Sequence, residues 1–308
     1  MPWKKMGLIF QPNDEFEWMT SHAQVPTVYV MNDRLRVFFS TRNKNGKSQI
    51  ACMDLDKRNP AKIIKLYDKP LLGFGKPGTF DDDGVMPSSL IKQDNKLLVF
   101  YTGWNQRLTI PYHNAIGVAV SHDNGLTLER LYDGPILDKT LLEPYLAVTP
   151  SVLKEQDAWM MWYSSGIKWE KIDQKYEPTY IIKYATSADG IHWDRPNHTT
   201  IDQKHSNEVF SSPNVLKFND IFHMWYCHRN TTDYRHGDGG YRIGYAESSD
   251  GLVWQRKDDE VGITLSETGW DNKMLCYPHV VNVDGVLHMF YNGNDFGKSG
   301  FGYAVWEH

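Results

Sequence analysis

A proline recurs along the 308-residue chain at intervals of 61 to 65 residues, each time within a similar run of sequence. The five prolines are Pro26, Pro87, Pro150, Pro213 and Pro278. Self-similarity at a fixed period is the signature of repeat architectures, in which each repeat forms one supersecondary unit. The spacing therefore predicts five copies of one structural unit, and this expectation constrains the fold more than any other feature of the chain.

Each copy reads as a series of short antiparallel strands. An apolar strand at the proline and a polar turn lead to a second strand, which ends in two adjacent aromatic residues, as in a β-hairpin. The aromatic pairs are Phe38-Phe39, Phe100-Tyr101, Trp162-Tyr163, Trp225-Tyr226 and Phe290-Tyr291. A variable segment, a third strand and a fourth strand follow. The pattern predicts one all-β domain over residues 1–308, a five-bladed β-propeller with four antiparallel strands per blade.

The two ends of the chain predict how such a ring closes. The fifth copy ends after its third strand, at His308. Residues 3–10 read as a fourth strand, similar to the segments that follow Trp193 and Trp254. We expect them to form the outer strand of the last blade, which closes the ring and avoids an unpaired strand edge.

Composition narrows the class of partner. The formal net charge is −5 and no basic stripe is present, so neither nucleic acid nor a membrane surface is expected as a partner. Eleven Trp and seventeen Tyr provide flat faces suited to sugar rings. The sparse cysteines Cys52, Cys227 and Cys276 are expected to be reduced core residues. The N-terminus lacks a signal-peptide pattern, which favours a cytoplasmic location.

Loop length predicts which end of the propeller is functional. Strands alternate in direction, so the tight turns after the first and third strands share one end. The other end contains the entries to the first strands and four dissimilar loops: 102–114, 164–180, 227–241 and 292–299. Irregular loops on a rigid scaffold usually carry binding and catalysis, so the funnel at this end is the predicted site.

Acidic residues near this funnel are the predicted catalytic groups: Asp82, Asp83, Glu143 and Glu208. Adjacent carboxylates repel, which raises the pKa of one of them and suits a general acid. A solvated loop for residues 81–83 and a solvent-facing Glu143 are the alternative interpretations. Arg, His, Asn and aromatic side chains at the same end are predicted to bind substrate: His22, Arg42, Trp104, Asn105, Arg107, Tyr145, Trp169, His228, Arg229, Asp238, Tyr277 and His279. For the pair 228–229 a structural salt bridge is the alternative.

No pair of His or Cys residues has the spacing of a zinc site, so no cofactor is predicted and an axial metal is left open. His22 and His279 have an alternative interpretation as structural polar residues with satisfied hydrogen bonds.

Turns after the third strands carry a resemblance to known families. Ser121-His-Asp123-Asn-Gly125 resembles the Asp-box of sialidase-type propellers, and the runs beginning at Ser187 and Ser248 look like a shorter version. Five blades make the whole chain similar to glycoside hydrolases of families 43, 32, 68, 117 and 130. The resemblance implies a propeller fold and chemistry at a glycosidic bond. The tryptophans that end the shorter turns are expected to pack between blades.

The chain departs from these families at the positions that carry their catalytic acids. Those families place Asp or Glu one or two residues before the proline of the first strand. Here the ten positions are non-acidic: Gln24-Val25, Val85-Met86, Val148-Thr149, Ser211-Ser212 and Cys276-Tyr277. The leading hypothesis is a carbohydrate-active enzyme that acts on a glycosidic bond of a small-molecule or oligosaccharide substrate, by hydrolysis, transfer or phosphorolysis. A nucleotide-sugar or a glycosyl phosphate is among the substrates that this hypothesis includes. A non-catalytic glycan-binding propeller is the alternative, and a protein-interaction scaffold is a third class.

Overall fold

In a computed structural model, which describes residues 2–156, 158–235 and 239–307, the strands can be grouped around the five prolines into five units. Unit 1 contains β2 (Ser21–Val30), β3 (Arg34–Arg42), β4 (Ser48–Asp56) and β5 (Ile63–Leu66). Unit 2 contains β6 (Gly84–Gln93), β7 (Lys96–Gln106), β8 (Tyr112–Ser121) and β9 (Glu129–Arg130). Unit 3 contains β10 (Ala147–Glu155), β11 (Ala158–Ile172) and β12 (Lys175–Ser187).

The last two units follow the same order. Unit 4 contains β13 (Glu208–Phe218), β14 (Ile221–Asn230), β15 (Arg242–Ser248) and β16 (Gln255–Arg256). Unit 5 contains β17 (Cys276–Val283), β18 (Val286–Asn292), β19 (Phe301–Trp306) and the N-terminal β1 (Trp3–Phe10). The helical elements of the described chain are a 3-10 turn, Asp258–Glu260, and the four-residue α1 (Asn294–Gly297). No helix among the described residues is long and apolar enough to cross a membrane.

Within each unit, consecutive strands pair antiparallel. Unit 3 departs from the predicted four strands, because its fourth segment forms only isolated bridges, Lys183 with Thr199 and Thr186 with Asp194. Pro196 lies between the two bridges and has no N–H to donate to a strand ladder. Units 1 and 2 share one sheet through a short parallel contact between β4 and β6.

The N-terminal strand pairs with the last strand, as the sequence predicts. β1 runs antiparallel to β19 from Trp3 opposite Trp306 to Phe10 opposite Phe301. The ring of Phe10 also lies 5.4 Å from that of Phe39 in unit 1. The first and last parts of the chain are therefore held in the same sheet, next to the first unit.

The aromatic pairs seal the interfaces between units. Successive side chains of a strand point to opposite faces, so the two rings of a pair enter different core clusters. Phe100 packs with unit 3 residues such as Met161, whereas Tyr101 packs with unit 1 residues such as Phe38. The same division holds in the other units, and five core clusters fill the five inter-unit interfaces, including that between units 5 and 1. Every ring of the five pairs is buried.

Strand contacts and hydrogen bonds also link each unit to the next. The first strands touch in the order β2, β6, β10, β13 and β17, and β17 touches β2. The side chain that follows each aromatic pair bonds to the backbone near the next unit's proline. The five contacts, at 2.8 to 3.2 Å, are Ser40 to Val85, Thr102 to Thr149, Ser164 to Ser212, Cys227 to Tyr277 and Asn292 to Val25.

Four of the five residues that precede a unit's proline adopt a left-handed backbone conformation. Val25, Thr149, Ser212 and Tyr277 have φ between 49° and 54°. This conformation is costly for a non-glycine residue and persists only where the surroundings hold it. The amide of each is fixed by a side chain of the preceding unit, as described above. The resulting bulge interrupts the strand ladder at each proline.

One predicted loop is mostly β-strand in the structure. Residues 164–180 lie in the long hairpin of β11 and β12, whose turn is formed by Asp173 and Gln174 with φ of 47° and 67°. Two positive φ values are typical of a type I′ hairpin turn, which continues the strand pairing instead of ending it. The prediction of an irregular loop was therefore wrong here, because the turn signal lies far beyond the aromatic pair.

Candidate functional site

A cavity of about 610 Å³ is lined by residues from all five units. The residue before each unit's proline reaches it: Val25, Met86, Thr149, Ser212 and Tyr277. Side chains from the ends of the second strands complete the wall, among them Arg42 and Trp104. The cavity therefore lies at the end where segments enter the first strands, which is the end that loop length predicts to be functional.

A much narrower void of about 20 Å³ lies among the prolines, between Val25, Thr149 and the ring of His279. It has room for about one water molecule. Asn214 approaches the Nδ1 atom of His279 at 3.4 Å, and burial lowers the pKa of this histidine to about 4. His279 is thus neutral at pH 7 and lies between the inner strands, beneath the cavity.

Aromatic side chains dominate one part of the wall. The hydroxyl oxygens of Tyr112 and Tyr180 are 3.3 Å apart. Trp104 is fixed because its Nε1 donates to Ser48 Oγ at 2.7 Å. A Cβ atom on Gly84 would lie 2.1 Å from that indole nitrogen, so a larger residue there would displace the Trp104 ring. These rings offer flat, partly polar faces of the kind that stack against sugars or bases.

The aromatic part of the wall also contains a buried guanidinium that forms no ion pair with a carboxylate of the described residues. Arg229 is 3% exposed, and its terminal nitrogens donate to the carbonyl oxygens of Asn230 and Pro178 at 2.8 and 3.0 Å. Its guanidinium lies 3.7 Å from the ring centroid of Tyr234. Its Nε atom has no hydrogen-bond partner among the described residues. A positive charge is therefore held behind the aromatic wall by carbonyl dipoles and a ring face.

Arg235 lies beside it but is neutralised. Its guanidinium pairs with Glu177 at 2.7 and 3.0 Å, and the hydroxyl of Tyr234 also donates to this carboxylate. Burial raises the pKa of Glu177, but the hydrogen bonds from Arg235 and Tyr234 outweigh it, and the net pKa lies below the usual value. The Glu177 carboxylate is therefore ionised directly behind the cavity wall.

The rim of the cavity includes a backbone segment under strain. Asp295 and Phe296, in α1, have φ of 54° and 57° and both line the cavity. Left-handed conformations in consecutive non-glycine residues are concentrated at functional sites. Among the described lining residues, Asp295 is the one carboxylate, and it is exposed. This exposed carboxyl is therefore accessible to a ligand bound in the cavity.

The predicted substrate-binding residues divide into two groups. His22, Arg42, Trp104, Arg229 and Tyr277 meet at the cavity. The other described ones lie elsewhere: Asn105, Arg107, Tyr145, Trp169, His228 and His279. Asp238 lies outside the described residues.

Of the group that lies elsewhere, Asn105 donates to the carbonyl of Thr79 at 3.0 Å, and Trp169 packs edge-on against Tyr112 at 5.2 Å. Trp169 therefore supports a cavity residue from behind. Arg107 is exposed in a separate groove, and His228 lies 3.8 Å from Glu208.

Glu143 is tied into the scaffold. It is 2% exposed and accepts hydrogen bonds from Tyr163 at 2.9 Å and Ser165 at 2.6 Å, while Arg195 pairs with it at 2.7 Å. Burial raises the pKa of Glu143, but Arg195 and Ser165 reverse the effect and hold it below its usual value. The carboxylate is fully occupied by internal partners.

Glu208 is held in the same way in unit 4. Both of its oxygens accept from Arg256, at 2.5 and 2.8 Å, and the backbone N–H of Lys204 adds a third bond at 2.7 Å. Burial raises its pKa, and Arg256 and the Lys204 amide lower it by more, so the net pKa is below the usual value. In units 2 and 5, Asp81 and Asp271 likewise accept from Tyr101 and Tyr291, both at 3.0 Å.

Asp82 and Asp83 lie at the same end but do not line the cavity. Asp82 accepts from the N–H of Gly78 at 2.7 Å. Asp83 pairs with Lys47 at 2.7 Å and accepts from the N–H of Gln106 at 2.8 Å. Burial raises the pKa of Asp83, but these partners outweigh it and leave the pKa below the usual value. For Asp83 this is the opposite of the raised pKa that the sequence pattern predicts for a general acid in this run.

The sequence-based prediction missed several cavity residues. Three of them occupy one equivalent position of the repeat, which the sequence could have revealed. Asn114, Tyr180 and Tyr241 each stand seven residues before the serine of an Asp-box-like turn, and all three line the cavity. Equivalence in the repeat could therefore have found them. Asp295, Phe296 and Lys298 occur in the last unit only, where the repeat gives no guide. No group of three or more metal-ligating side chains is found in the described part of the chain.

Comparison with known proteins gives a relative over the full length. The chain is 35% identical over 310 residues to "Uncharacterized protein Rv1502" of Mycobacterium tuberculosis (strain ATCC 25618 / H37Rv), covering 100% of both chains. "Uncharacterized protein MT1551" of M. tuberculosis (strain CDC 1551 / Oshkosh) matches at the same identity and coverage. No protein-family model matches the chain.

Solved structures show the fold. A protein described as "Glycoside hydrolase" superposes with a TM-score of 0.75 at 18% identity, covering 98% of this chain and 90% of the other. A glycosyl hydrolase from Bacteroides ovatus gives 0.74 at 14% identity, covering 99% and 92%. A thermostable family-43 glycoside hydrolase gives 0.68 at 16% identity, covering 96% and 90%. The chain thus has the all-β, glycoside-hydrolase-like propeller fold of these proteins.

Proposed function

This chain belongs to the family of the M. tuberculosis proteins Rv1502 and MT1551, and we propose that it acts on a glycosidic bond of a saccharide bound in the cavity. The observation that carries the proposal is the cavity itself, in which aromatic and polar side chains from all five units meet. A concave site that combines aromatic faces with oriented polar groups is suited to bind a small molecule. The glycoside-hydrolase-like fold favours a saccharide as the occupant.

We infer that the five units are the blades of a closed propeller and that β1 closes the ring. The cyclic contacts of the first strands support this inference, as does the bond from Val25 to Asn292 between units 1 and 5. Closure places the cavity on the common axis, where the five residues that precede the prolines converge. The working surface is then rigid, because each bulge is fixed by its neighbour.

For the chemistry we assign Asp295 as the acid or base. It is exposed at the cavity rim, whereas Glu143 and Glu208 are occupied by Arg195 and Arg256. Glu177 lies behind the wall and is paired with Arg235, so we assign it no part in the reaction. We do not assign catalysis to Asp82, Asp83, Glu143 or Glu208, because none of them lines the cavity.

The test compares two carboxamide variants on a glycoside that the intact protein turns over, found from a panel of nitrophenyl glycosides and oligosaccharides. Asp295→Asn is expected to lower kcat by about 100-fold or more, the range of general acid–base catalysis, with KM little changed. Asp82→Asn is the matched control, since Asp82 lies at the same end outside the cavity, and its kcat should stay within about twofold. Full turnover by Asp295→Asn, or an equal loss in both variants, would show the assignment to be wrong.

A second function, glycan binding without turnover, is favoured by one observation. Glycoside hydrolysis usually needs two carboxyl groups flanking the bond, and the described lining residues include only Asp295. This candidate predicts saturable binding of an oligosaccharide that remains intact after prolonged incubation. Detection of a cleaved or transferred product that disappears in Asp295→Asn would exclude it.

A further inference from the structure

Arg42 presents an oriented guanidinium to the cavity. It stands at the end of β3, and its Nε donates to Gln24 Oε1 at 3.2 Å. Gln24 is 3% exposed, and its amide donates in turn to the carbonyl of Phe296 at 2.5 Å. No carboxylate of the described chain pairs with Arg42. The guanidinium is therefore held from behind by Nε, and its two terminal nitrogens remain for a ligand.

Lys298 and His22 share this part of the wall. Burial, then the charges of Arg42 and Lys298, lower the pKa of His22 to about 3, so the imidazole is neutral at pH 7. Its Nδ1 atom lies 2.9 Å from the hydroxyl of Ser21. In the described parts of the chain, no acidic side chain forms an ion pair with Lys298. Two cations and a neutral imidazole therefore meet here, and neither cation forms an ion pair with an acidic side chain of the described residues.

The charges of the cavity wall as a whole also favour an anionic ligand. Its wall includes Arg42, Arg229, Arg235 and Lys298, while Glu177, behind the wall, pairs with Arg235 and also interacts with the charge of Arg229. Asp295 is the one carboxylate of the described lining. The protein as a whole carries a formal net charge of −5. A positive cavity in an acidic protein attracts anions and repels cations, because a concave, low-dielectric wall concentrates its field.

We propose that the saccharide bound here carries an anionic group, a carboxylate or a phosphate or sulfate ester, and that Arg42 and Lys298 bind it. The planar fork of Arg42 matches a carboxylate or an ester oxygen pair, and Lys298 adds a second charge. This inference rests on the proposed saccharide site and specifies its substrate class. The Arg229 charge behind the ring of Tyr234 adds to the field without touching the ligand.

The experiment uses a glycan array in which each neutral oligosaccharide is printed beside its uronate, its phosphate ester and its sulfate ester. The intact protein is expected to bind anionic members at least about tenfold more tightly than their neutral counterparts, the range of charge-assisted hydrogen bonds. Preference for uronates alone identifies a carboxylate, and preference for esters identifies a phosphate or sulfate. The best anionic glycan is then titrated calorimetrically into variants.

Arg42→Met is expected to weaken that glycan about 10- to 100-fold, with a partial recovery in Arg42→Lys, which keeps the charge but loses the fork. Lys298→Met should weaken it by a smaller factor. Arg58→Met is the matched control, because Arg58 is exposed and lies outside the cavity. Thermal unfolding of Arg42→Met shows whether this variant still folds. If it does not fold, Lys298→Met still tests the proposal, because Lys298 is exposed and its substitution should leave the fold intact.

The possible results distinguish the anionic subsite from the saccharide site on which it rests. Equal binding of neutral and anionic glycans would overturn the anionic subsite and leave the saccharide site standing. Anionic preference that survives in both Arg42→Met and Lys298→Met would overturn the assignment to these residues. Absence of binding to every glycan would overturn the proposed function and the subsite together.

Discussion

Single buried carboxylates at the entries to the units hold the scaffold together. Glu143 joins the hydroxyl of Tyr163 to the guanidinium of Arg195, and Asp81 joins Tyr101 to Arg130 in the same way. A buried ion pair contributes little in total, but removal of one partner leaves the other charge buried and unpaired. These acids therefore resist substitution for structural reasons.

Glu143→Gln tests this role. The variant should lose about 3 kcal/mol of unfolding free energy at pH 7, because Arg195 would remain buried without its counter-ion. The pKa of Glu143 is lowered in the folded state, so its stabilisation is complete above the ordinary value of 4.5 and is lost as the pH falls through the folded pKa. Urea unfolding at a series of pH values should show the two proteins converging below pH 4.5.

Glu15→Gln is the matched control for that series, because Glu15 is exposed. It should match the unmodified protein at every pH. If Glu143→Gln were as stable as this control at pH 7, the carboxylate would have no scaffold role, and a function for it in the cavity would return to consideration.

At the scale of elements, the repeat made the strands predictable. The proline spacing and aromatic pairs place the first two strands of each unit, and the buried rings explain why the pattern is so regular. The fourth strand of unit 3 could not be predicted the same way, because the effect of Pro196 depends on whether its neighbours donate to the ladder. The long hairpin of β11 and β12 was missed because strand length beyond the aromatic pair depends on packing around Trp169.

The candidate site was predictable only in outline. Strand order predicts the end of the units at which the site lies. The positions of Arg42, Trp104 and Arg229 at the ends of the second strands predict that these residues line it. The prediction of the catalytic acids was misled because the sequence shows that these residues lie near the funnel. It does not show whether their side chains point into the cavity or into the scaffold. One signal in the sequence was overlooked. In units 2 to 5, which have an acidic residue shortly before the proline of the first strand, the second residue of the aromatic pair is Tyr, whereas in unit 1 it is Phe39.

At the scale of the whole molecule, β1 carries the stability of the proposed ring. Trp3 is 5% exposed and packs edge-on against Trp306 at 4.8 Å and Trp225 at 6.1 Å, which joins units 4 and 5. Trp3→Ala should lower the free energy of unfolding by about 3–5 kcal/mol, the usual cost of truncating a buried aromatic. Hydrogen exchange should also quicken in β19, whose amides pair with β1.

Met6→Ala is the control on the same strand, since Met6 is 45% exposed. It should change neither stability nor exchange appreciably. Equal, small effects of the two substitutions would show β1 to be a loosely attached arm, and the ring would then need another means of closure.

The central claim is that the five-unit cavity is the working site of this propeller. The most direct measurement is a crystal structure of the protein with an acidic oligosaccharide bound. We expect ligand density in the cavity, with the anionic group at Arg42 and Lys298 and a sugar ring near Trp104. Density in the separate groove around Arg107 and Lys139, with the cavity unchanged, would contradict it.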